Sequence, residues 1–339
     1  MADVSRTHGG PDARGMARWD FSTNANAAGP CPFALEALRR ADPSRYPDPG
    51  YHRLREQLAA SHGVAMSRIV IAASASEFIQ RITAAGARLA PGPVQVPRHA
   101  YGDYAAAAQA HGRDIVTEEQ GEGPAPTLRW YADPSSPLGQ DSPPPTDLKL
   151  CTTVLDAVYA PLRLEGHSAW SAAARDAVFE LVSPNKALGL PGVRAAYAIA
   201  PRDHGEVAAW CAALAAAEPS WPIGADGVAL LQAWVDDRTQ RWLSEQRPRL
   251  REWKRTLVQL LQAAGAEVQP SVTPFLCARL PAGVTPQTLR TCGIAVRDAG
   301  SFGLPGWVRL GAQPPASMDA LRQALHDLSD DHTLLTTGS

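Results

Sequence analysis

One lysine in this chain stands between two side chains that suit a phosphate group. Lys186 follows an apolar, strand-like run over residues 177–182, with Ser183 three residues before it and Arg194 eight residues after it. An amine held near apolar walls is favoured in its neutral form and can form a Schiff base with an aldehyde cofactor. A hydroxyl and a planar guanidinium fork are what a phosphate dianion needs. The plain alternative is a loop lysine with an ordinary arginine nearby.

Strand-like and helical segments alternate around this lysine and would position it. Short apolar runs predict strands over residues 69–71, 94–96, 148–150, 154–155 and 179–182. Helical spacing predicts helices over residues 33–40, 51–62, 77–89 and 104–111. The alternation indicates an α/β domain with a mainly parallel sheet, in which ligands bind beyond the carboxyl ends of the strands.

The amino-acid pattern changes after residue 225. One long helix is predicted over residues 230–264, followed by strands over 273–280, 294–297 and 307–310 and a last helix over 318–328. We therefore expect four parts: a flexible arm over 1–18, an N-terminal segment over 19–44 that packs with the smaller domain, a large domain over 45–225 and a small C-terminal domain over 226–339.

Composition and charge argue against several classes of function. The net charge is −2 and the basic residues are dispersed, so no nucleic-acid-binding surface is indicated. Five cysteines without a C-x-x-C pair and nine histidines without H-x-x-x-H or H-E-x-x-H spacing indicate reduced thiols and no metal site. No apolar run reaches the roughly 20 residues that cross a bilayer, and residues 1–18 lack the apolar stretch of a signal peptide. We therefore expect a cytoplasmic protein that acts on small molecules, with no membrane or nucleic-acid partner.

The segment from Ser183 to Arg194 resembles the cofactor-lysine segment of the fold-type I pyridoxal-phosphate (PLP) enzymes. The likeness is strongest to the histidinol-phosphate aminotransferase family and the threonine-phosphate decarboxylases, whose Ser-x-x-Lys-(seven residues)-Arg pattern and glycine-rich tail are both matched here. The resemblance extends over about residues 19–328. It implies a PLP cofactor and an α/β fold-type I PLP-transferase. Such a fold has a large domain with a mainly parallel seven-stranded sheet and a smaller α+β domain.

The same resemblance implies roles for residues around the cofactor. Asp156, at the end of a predicted strand, would hold the pyridine nitrogen protonated, and Tyr159 would donate to the phenolic oxygen. Backbone N–H groups of Ala75 and Ser76, at a helix start, would bind the phosphate. The alternatives are a turn-capping aspartate and a plain helix N-cap in the serine-rich stretch.

Two further tyrosines match family positions. Tyr101, after the strand at 94–96, matches the aromatic that stacks on the PLP ring, with a simple core role as the alternative. Tyr46 resembles the residue that reaches the phosphate of the neighbouring subunit. This likeness implies a homodimer whose active site is shared across the interface.

Two arginines are candidates for binding substrate. Arg297 and Arg309 lie inside apolar, strand-like runs, where an arginine needs a partner, although a solvated surface charge is the alternative. By resemblance, Arg309 would grip the substrate α-carboxylate as a bidentate fork and Arg297 would bind a distal phosphate. Asn26 resembles a residue that lines the substrate entrance. The substrates implied are an amino acid and a 2-oxo acid.

One loop departs from the family pattern. The family's Asn-Pro-Asn-Asn-Pro-x-Gly reads Asp-Pro-Ser-Ser-Pro-Leu-Gly over residues 133–139, so Ser136 replaces the asparagine that donates to the phenolic oxygen. A serine hydroxyl still donates, but it is shorter and can leave that oxygen to Tyr159 alone. Together with the lost glycines before Ser76, the change indicates altered chemistry or a relaxed substrate range.

The residues favour a PLP-dependent aminotransferase that moves an amino group between an amino acid, or an amino-alcohol phosphate, and a 2-oxo acid. Lys186 would carry the Schiff base and transfer the Cα proton. The runner-up is an L-threonine-O-3-phosphate decarboxylase-like enzyme of cobalamin biosynthesis, because the Thr-His-Gly-Gly run at residues 7–10 resembles the start of some members of that pathway. A non-catalytic protein on the same fold is a third possibility. Convergence of Lys186, Asp156 and Arg309 on one pocket would argue against it.

Overall fold

A computed structural model describes residues 8–117, 124–202 and 206–337 of the 339-residue chain. The strands in these ranges are β1 (Trp19–Asp20), β2 (Ile69–Ala72), β3 (Val94–Gln95), β4 (Ile115–Val116), β5 (Leu128–Ala132), β6 (Thr152–Asp156), β7 (Phe179–Val182), β8 (Ala196–Ile199), β9 (Glu267–Val268), β10 (Phe275–Arg279), β11 (Ile294–Ala295), β12 (Arg297–Asp298) and β13 (Val308–Gly311). The helices are α1 (Pro32–Arg40), α2 (His52–His62), α3 (Ala75–Leu89), α4 (Gly102–Ala110), α5 (Ala172–Arg175), α6 (Glu206–Ala216), α7 (Ala225–Trp234), α8 (Asp237–Ala263), α9 (Pro286–Thr291) and α10 (Pro315–Thr337).

A seven-stranded sheet organises the large domain, in the order β2-β8-β7-β6-β5-β3-β4. Every neighbouring pair is parallel except those that involve β8, which runs antiparallel to both β2 and β7. The prediction of a mainly parallel seven-stranded sheet is confirmed. The carboxyl ends of β2, β3, β5, β6 and β7 therefore meet at one edge, where the chain leaves each strand toward a candidate residue.

The sheet is buried on both faces, as its uninterrupted apolar strands require. Along β2, Ile69 and Ile71 pack on the face that contacts α2 and α7, whereas Val70 and Ala72 pack on the opposite face with α3, α4 and α6. This alternation follows from the two-residue period of a strand. The helices thus enclose the sheet and leave its carboxyl edge as the place where polar side chains gather.

A second, smaller sheet is antiparallel and has the strand order β12-β13-β10-β9. Its core brings Leu276 and Leu310 against α8, α9 and α10. The N-terminal strand β1 pairs in parallel with β11, in the register Trp19 to Ile294. The segment after residue 18 is thus joined to the C-terminal part of the chain by backbone hydrogen bonds.

The expected flexible arm falls partly on residues 1–7, which lie outside the described residues. Residues 8–18 make specific contacts with the rest of the fold. The Asp12 carboxylate pairs with Arg290, with 2.8 Å between Oδ2 and Nε, and the Gly10 N–H donates to the Ser22 hydroxyl at 2.8 Å. In the structure this segment lies on the small-domain side.

Two predicted elements were wrong, and strands β1, β4, β5, β8 and β9 were missed. Residues 148–150 form no strand, and Leu150 is 73 % exposed because the chain bends away from the sheet there. The long helix predicted over 230–264 is two helices, because the Asp236 side chain caps the start of α8 by accepting the Arg238 N–H at 2.8 Å. Strands β5 and β8, both in the sheet interior, were not predicted.

Candidate active site

The loop that follows β7 holds Lys186 at the carboxyl edge of the sheet. The side chain is half-buried, and its Nζ lies 5.3 Å from the centre of the Tyr159 ring. Asn185, which the sequence reasoning did not single out, organises the loop: its Oδ1 accepts the Lys186 N–H at 2.9 Å and its Nδ2 donates to the Val193 carbonyl at 3.4 Å. The Ser183 hydroxyl donates within the loop, to Asn185 Oδ1 at 3.1 Å. The loop is therefore closed on itself around the lysine.

Asp156 ends β6 and is buried opposite this lysine. One carboxylate oxygen, Oδ2, accepts from the Tyr104 hydroxyl at 2.5 Å, and Oδ1 accepts from the Val158 N–H at 3.0 Å. Burial raises the pKa of Asp156, whereas the Tyr104 hydroxyl, the Val158 N–H and the charge of Lys186 oppose that rise. The structure thus brings the predicted lysine and aspartate into electrostatic contact, and it adds Tyr104.

Tyr159 is buried between the two sides of the site. Its ring meets Phe275 edge-on, with 4.7 Å between ring centres, and its hydroxyl accepts from Asn24 Nδ2 at 3.4 Å. Asn24 was not predicted, and its Oδ1 is buried without a hydrogen-bond partner. Asn26, the predicted entrance residue, instead donates from its side chain to the Ala187 carbonyl at 3.0 Å. In the structure Asn26 fastens the N-terminal segment to the lysine loop.

The helix start after β2 has the form of an anion site. Ala75 and Ser76 open α3, whose N-cap Ser74 accepts the Glu77 N–H at 3.1 Å. The Ser76 hydroxyl lies 3.1 Å from the hydroxyl of Tyr101, so the phosphate candidates and the stacking candidate are neighbours. Burial raises the pKa of Tyr101. Its phenol therefore stays protonated at neutral pH.

Arg297 and Arg309 are cross-strand partners in the register of β12 and β13. Both are buried, and the ring of Phe302 lies 4.7 Å from the first guanidinium and 5.5 Å from the second. Burial, together with the charge of Arg309, lowers the pKa of Arg297 to about 10. Burial also lowers the pKa of Arg309. Two cations therefore stand side by side in a poorly solvated place.

Arg309 is bound only weakly by its surroundings. One terminal nitrogen donates to the Ser136 hydroxyl at 3.4 Å and the other to the Ser22 carbonyl at 3.1 Å, while Nε is buried without a partner. Within the described residues no carboxylate forms an ion pair with it. Ser136, predicted beside the phenolic oxygen of the cofactor, lies within reach of this arginine. Arg297 by contrast donates to the Asp298 carbonyl at 2.6 Å and to the Ser301 hydroxyl at 2.7 Å.

Two predicted site residues, Tyr46 and Arg194, are exposed within one chain. Tyr46 is 78 % exposed and stacks on Trp221, with 4.3 Å between ring centres. Arg194, after the lysine loop, is exposed. The structure describes no group of three or more His, Cys, Asp or Glu side chains arranged to hold a metal ion among its residues. In the same ranges, no helix combines the length and apolar character needed to span a membrane.

These residues fit a PLP molecule by their chemistry. An amine, a buried carboxylate and a tyrosine hydroxyl lie together, and a helix start suited to a phosphate lies beside a partly buried aromatic ring. The orphaned Asn24 Oδ1 and Arg309 Nε show that the pocket holds polar atoms without protein partners. Buried polar atoms in native proteins are almost always satisfied. The pocket is therefore suited to a polar, anionic ligand.

A lysine, an aspartate and a helix N-terminus at the carboxyl edge of a seven-stranded sheet define a PLP-dependent enzyme of fold type I. The family model for aminotransferase class I and II matches residues 19–328, so the chain belongs to that family. It is 28 % identical to histidinol-phosphate aminotransferase of Rhodospirillum centenum over 96 % of this chain and 94 % of the relative. It is 29 % identical to that of Paramagnetospirillum magneticum over 86 % of each.

Solved structures share the fold. Histidinol-phosphate aminotransferase from Sinorhizobium meliloti, in complex with pyridoxal-5'-phosphate, superposes with a TM-score of 0.77 at 22 % identity, over 93 % of this chain and 91 % of that one. L-threonine-O-3-phosphate decarboxylase from Porphyromonas gingivalis superposes with a TM-score of 0.76 at 23 % identity, over 91 % and 99 %. The expectation of a fold-type I PLP aminotransferase is confirmed at the level of family and fold.

Proposed function

We propose that this enzyme acts on an amino compound that carries a phosphate, exchanging its amino group with a 2-oxo acid. The observation that carries the proposal is the buried cross-strand pair Arg297 and Arg309 beside the cofactor residues. A substrate with a single carboxylate needs one guanidinium group. A substrate, or a 2-oxo acid partner, that carries a second anionic group can use two. Relatives of about this similarity are named histidinol-phosphate aminotransferases, which supports a phosphate on the substrate.

In this proposal the chain's own residues divide the work. Bound PLP supplies the electron sink that makes the substrate Cα–H acidic. Lys186 Nζ removes the Cα proton, and Asp156 holds a proton on the pyridine nitrogen. Tyr159 donates to the phenolic oxygen, and Arg309 fixes the carboxylate. These groups orient one bond at Cα and keep water from it.

The cofactor phosphate and ring would be held by residues on the large-domain side. We assign the backbone N–H groups of Ala75 and Ser76 to the phosphate, together with Ser183 and Arg194. Tyr101 would stack on the ring. The exposed ring of Tyr46 supports a homodimer in which it reaches the partner's cofactor phosphate.

The boundaries and compartment belong to the same proposal. We propose that the segment over 19–44 packs with a small C-terminal domain over 226–339, because β1 pairs with β11; α7, at the start of that range, packs on the seven-stranded sheet. The large domain is then 45–225. We place the enzyme in the cytoplasm, acting on small molecules, because its five cysteines form no disulfide among the described residues.

A decarboxylase of the threonine-phosphate type is the second candidate, and one observation favours it. Gly9 packs so closely on the Ser22 carbonyl that a Cβ there would clash, and Gly10 has a φ of +100°. This glycine pair thus lies against the residue whose carbonyl accepts from Arg309. In that reaction the bond from Cα to the carboxylate breaks, carbon dioxide leaves and Cα gains a proton.

One assay separates these functions. The purified enzyme loaded with PLP is given histidinol phosphate with 2-oxoglutarate, or threonine phosphate alone, and glutamate and carbon dioxide are measured. Glutamate formed only with an amino phosphate supports the main proposal. Carbon dioxide from threonine phosphate would favour the decarboxylase. Neither product, with PLP bound, would leave the third possibility of a non-catalytic binding protein. Lys186→Ala, assayed in parallel, is the control for catalysis by the enzyme itself.

A further inference from the structure

Tyr104 is a buried residue of α4 that contacts the catalytic centre. Its side chain is 1 % exposed, and its hydroxyl donates to Asp156 Oδ2 at 2.5 Å. Because the Val158 N–H holds the other carboxylate oxygen, the two donors fix the plane of the carboxylate. A carboxylate held by two donors presents its remaining lone pairs in one direction. Tyr104 therefore influences where Asp156 can accept a third hydrogen bond.

The ring of Tyr104 is itself held in place. It stacks on Trp130, with 4.4 Å between ring centres and 11° between planes, and Trp130 is 1 % exposed. Trp130 belongs to β5, the strand paired with β6, so the support and Asp156 share one sheet. A ring packed in this way cannot turn its hydroxyl away without disturbing the core. The donor is thus preorganised.

A second aromatic residue, Tyr101, occupies the N-cap position of α4. Tyr101 lies three residues earlier, and the two rings meet edge-on with 5.9 Å between centres. Residues three apart on a helix are neighbours on its surface. One helical turn thus carries both the ring proposed to stack on PLP and the hydroxyl bonded to Asp156.

We propose that Tyr104 is a positioning residue that orients the Asp156 carboxylate toward the pyridine nitrogen of PLP. The inference rests on the proposed role of Asp156 at the pyridine nitrogen. It goes beyond that role because it names the Tyr104 hydroxyl as the group that holds the carboxylate in position. Burial favours the neutral form of a carboxyl group, and a hydroxyl donor favours the ionised form. Removing the hydroxyl therefore weakens the bond to the ring nitrogen, even though the ring of residue 104 remains.

The test compares PLP with its deaza analogue, in which a C–H group replaces the pyridine nitrogen. The apoprotein is titrated with each, and the ratio of the deaza dissociation constant to the PLP dissociation constant measures the contribution of the ring nitrogen. We expect Tyr104→Phe to lower this ratio roughly 10-fold, the typical loss of a hydrogen bond to a charged group. Binding of the deaza analogue itself should change little.

Tyr197→Phe is the matched control. Tyr197 is fully buried in the same sheet, but its hydroxyl bonds to His62 at 2.7 Å and to Trp234 at 3.1 Å. The Tyr197→Phe substitution removes an equivalent hydroxyl that does not contact Asp156, so the ratio of the two dissociation constants should stay at the wild-type value. A ratio that falls equally in Tyr104→Phe and Tyr197→Phe would overturn the inference, since the effect would then be general loosening.

Asp156→Asn separates failure of this inference from failure of the proposed site. If Asp156→Asn lowers the ratio and Tyr104→Phe does not, the role of Asp156 stands and that of Tyr104 is refuted. If Asp156→Asn leaves the ratio unchanged, both are refuted. Adding Tyr104→Phe to Asp156→Asn should lower the ratio no further, because the tyrosine acts through the aspartate. Should Tyr104→Phe fail to fold, Trp130→Phe removes part of the stack and should lower the ratio by a smaller factor. An unchanged ratio in that variant would refute the inference.

Discussion

The two sides of the site differ in how their polar groups are satisfied. On the large-domain side, both oxygens of Asp156 accept hydrogen bonds, and the Lys186 loop is closed by Asn185. On the opposite side, Arg309 is buried with hydrogen bonds to the Ser136 hydroxyl at 3.4 Å and the Ser22 carbonyl at 3.1 Å, and its Nε has no partner. The protein itself thus supplies partners for Asp156 and the lysine loop, whereas Arg309 is a buried cation that forms no ion pair with a carboxylate among the described residues.

This difference indicates which half of the site depends on a ligand. An uncompensated buried charge costs several kcal/mol, so an anionic ligand at Arg309 restores stability as it binds. Burial also raises the pKa of Asp156, but its two hydrogen-bond donors and the charge of Lys186 oppose that rise. We therefore expect substitutions on the cofactor side to lower turnover. Substitutions on the substrate side should weaken substrate binding and raise the free energy of unfolding.

The largest effect is expected at Lys186. Lys186→Ala should lower turnover at least about 1,000-fold, because it removes the group that transfers the Cα proton. Binding of a carboxylate-bearing inhibitor should be unchanged, since Arg309 is intact. Steady-state kinetics and inhibitor titration measure the two quantities. Lys149→Ala, at an exposed loop position, is the matched control. A Lys186→Ala variant that kept most of its activity would refute the assignment of the cofactor side.

The next largest effect is expected at Arg309, with opposite signs for activity and stability. Arg309→Met should lower kcat/KM roughly 100-fold, because the substrate carboxylate loses its charged partner. It should also raise the free energy of unfolding of the ligand-free protein by about 1 kcal/mol or more, because a buried unpaired cation is replaced by an apolar side chain. Thermal or urea unfolding of the apoprotein measures this. Loss of stability together with loss of activity would contradict the contrast between the two sides.

A smaller effect concerns pH and Arg297. Its pKa of about 10 lies below that of a free arginine, so the ligand-free protein loses this charge as the pH rises through about 10. A bound substrate phosphate favours the charged form of Arg297. The affinity of the enzyme for a phosphate-bearing substrate should therefore fall above pH 10, by at most about 10-fold per pH unit. The ratio of the dissociation constants of histidinol and histidinol phosphate isolates the pH dependence of phosphate binding, because the titration of groups that affect both compounds cancels. The ratio should be independent of pH in Arg297→Gln. A pH-independent ratio in the wild-type enzyme would separate Arg297 from the phosphate.

The smallest effect is expected at Ser136. Ser136→Asn introduces the amide that the family pattern implies at this position and should tighten PLP binding about 2- to 10-fold, the value of one neutral hydrogen bond. Ser136→Ala should leave PLP affinity unchanged and weaken substrate binding slightly, because the Ser136 hydroxyl contacts Arg309. PLP titration of the apoproteins measures both. Weaker PLP binding in Ser136→Ala would show that this serine serves the cofactor after all.

The sequence could indicate which residues lie near one another on the cofactor side, because they come at or shortly after the ends of sheet strands. Asp156 ends β6, and Tyr159 and Lys186 lie a few residues beyond β6 and β7; the carboxyl ends of parallel strands bring such positions to one edge. The motif therefore indicated both the residues and the edge of the sheet at which they would lie. Asp133, in the loop after β5, was also in a motif, but its ion pair with Arg163 depends on a loop that spacing does not describe.

The residues that were missed act through contacts distant in sequence. Tyr104 reaches Asp156 across 52 residues, and Asn24 reaches Tyr159 across 135. Tyr104 could have been suspected from its position one turn after Tyr101. Strand β5 was missed because Arg129 interrupts its apolar run; in the structure one terminal nitrogen of Arg129 donates to the Asp147 carbonyl at 2.6 Å. Such pairings depend on the tertiary fold, which local patterns do not contain.

The most direct test is to reduce the PLP-loaded protein with borohydride and to locate the label by peptide mass spectrometry. The chain contains only three lysines, Lys149, Lys186 and Lys254, so the assignment is unambiguous. Lys254 is engaged by Glu165 at 2.8 Å, and Lys149 is exposed on a loop. We expect the reduced cofactor on the peptide containing Lys186 and on no other. A label on Lys149 or Lys254, or no label with PLP bound, would contradict the site described above.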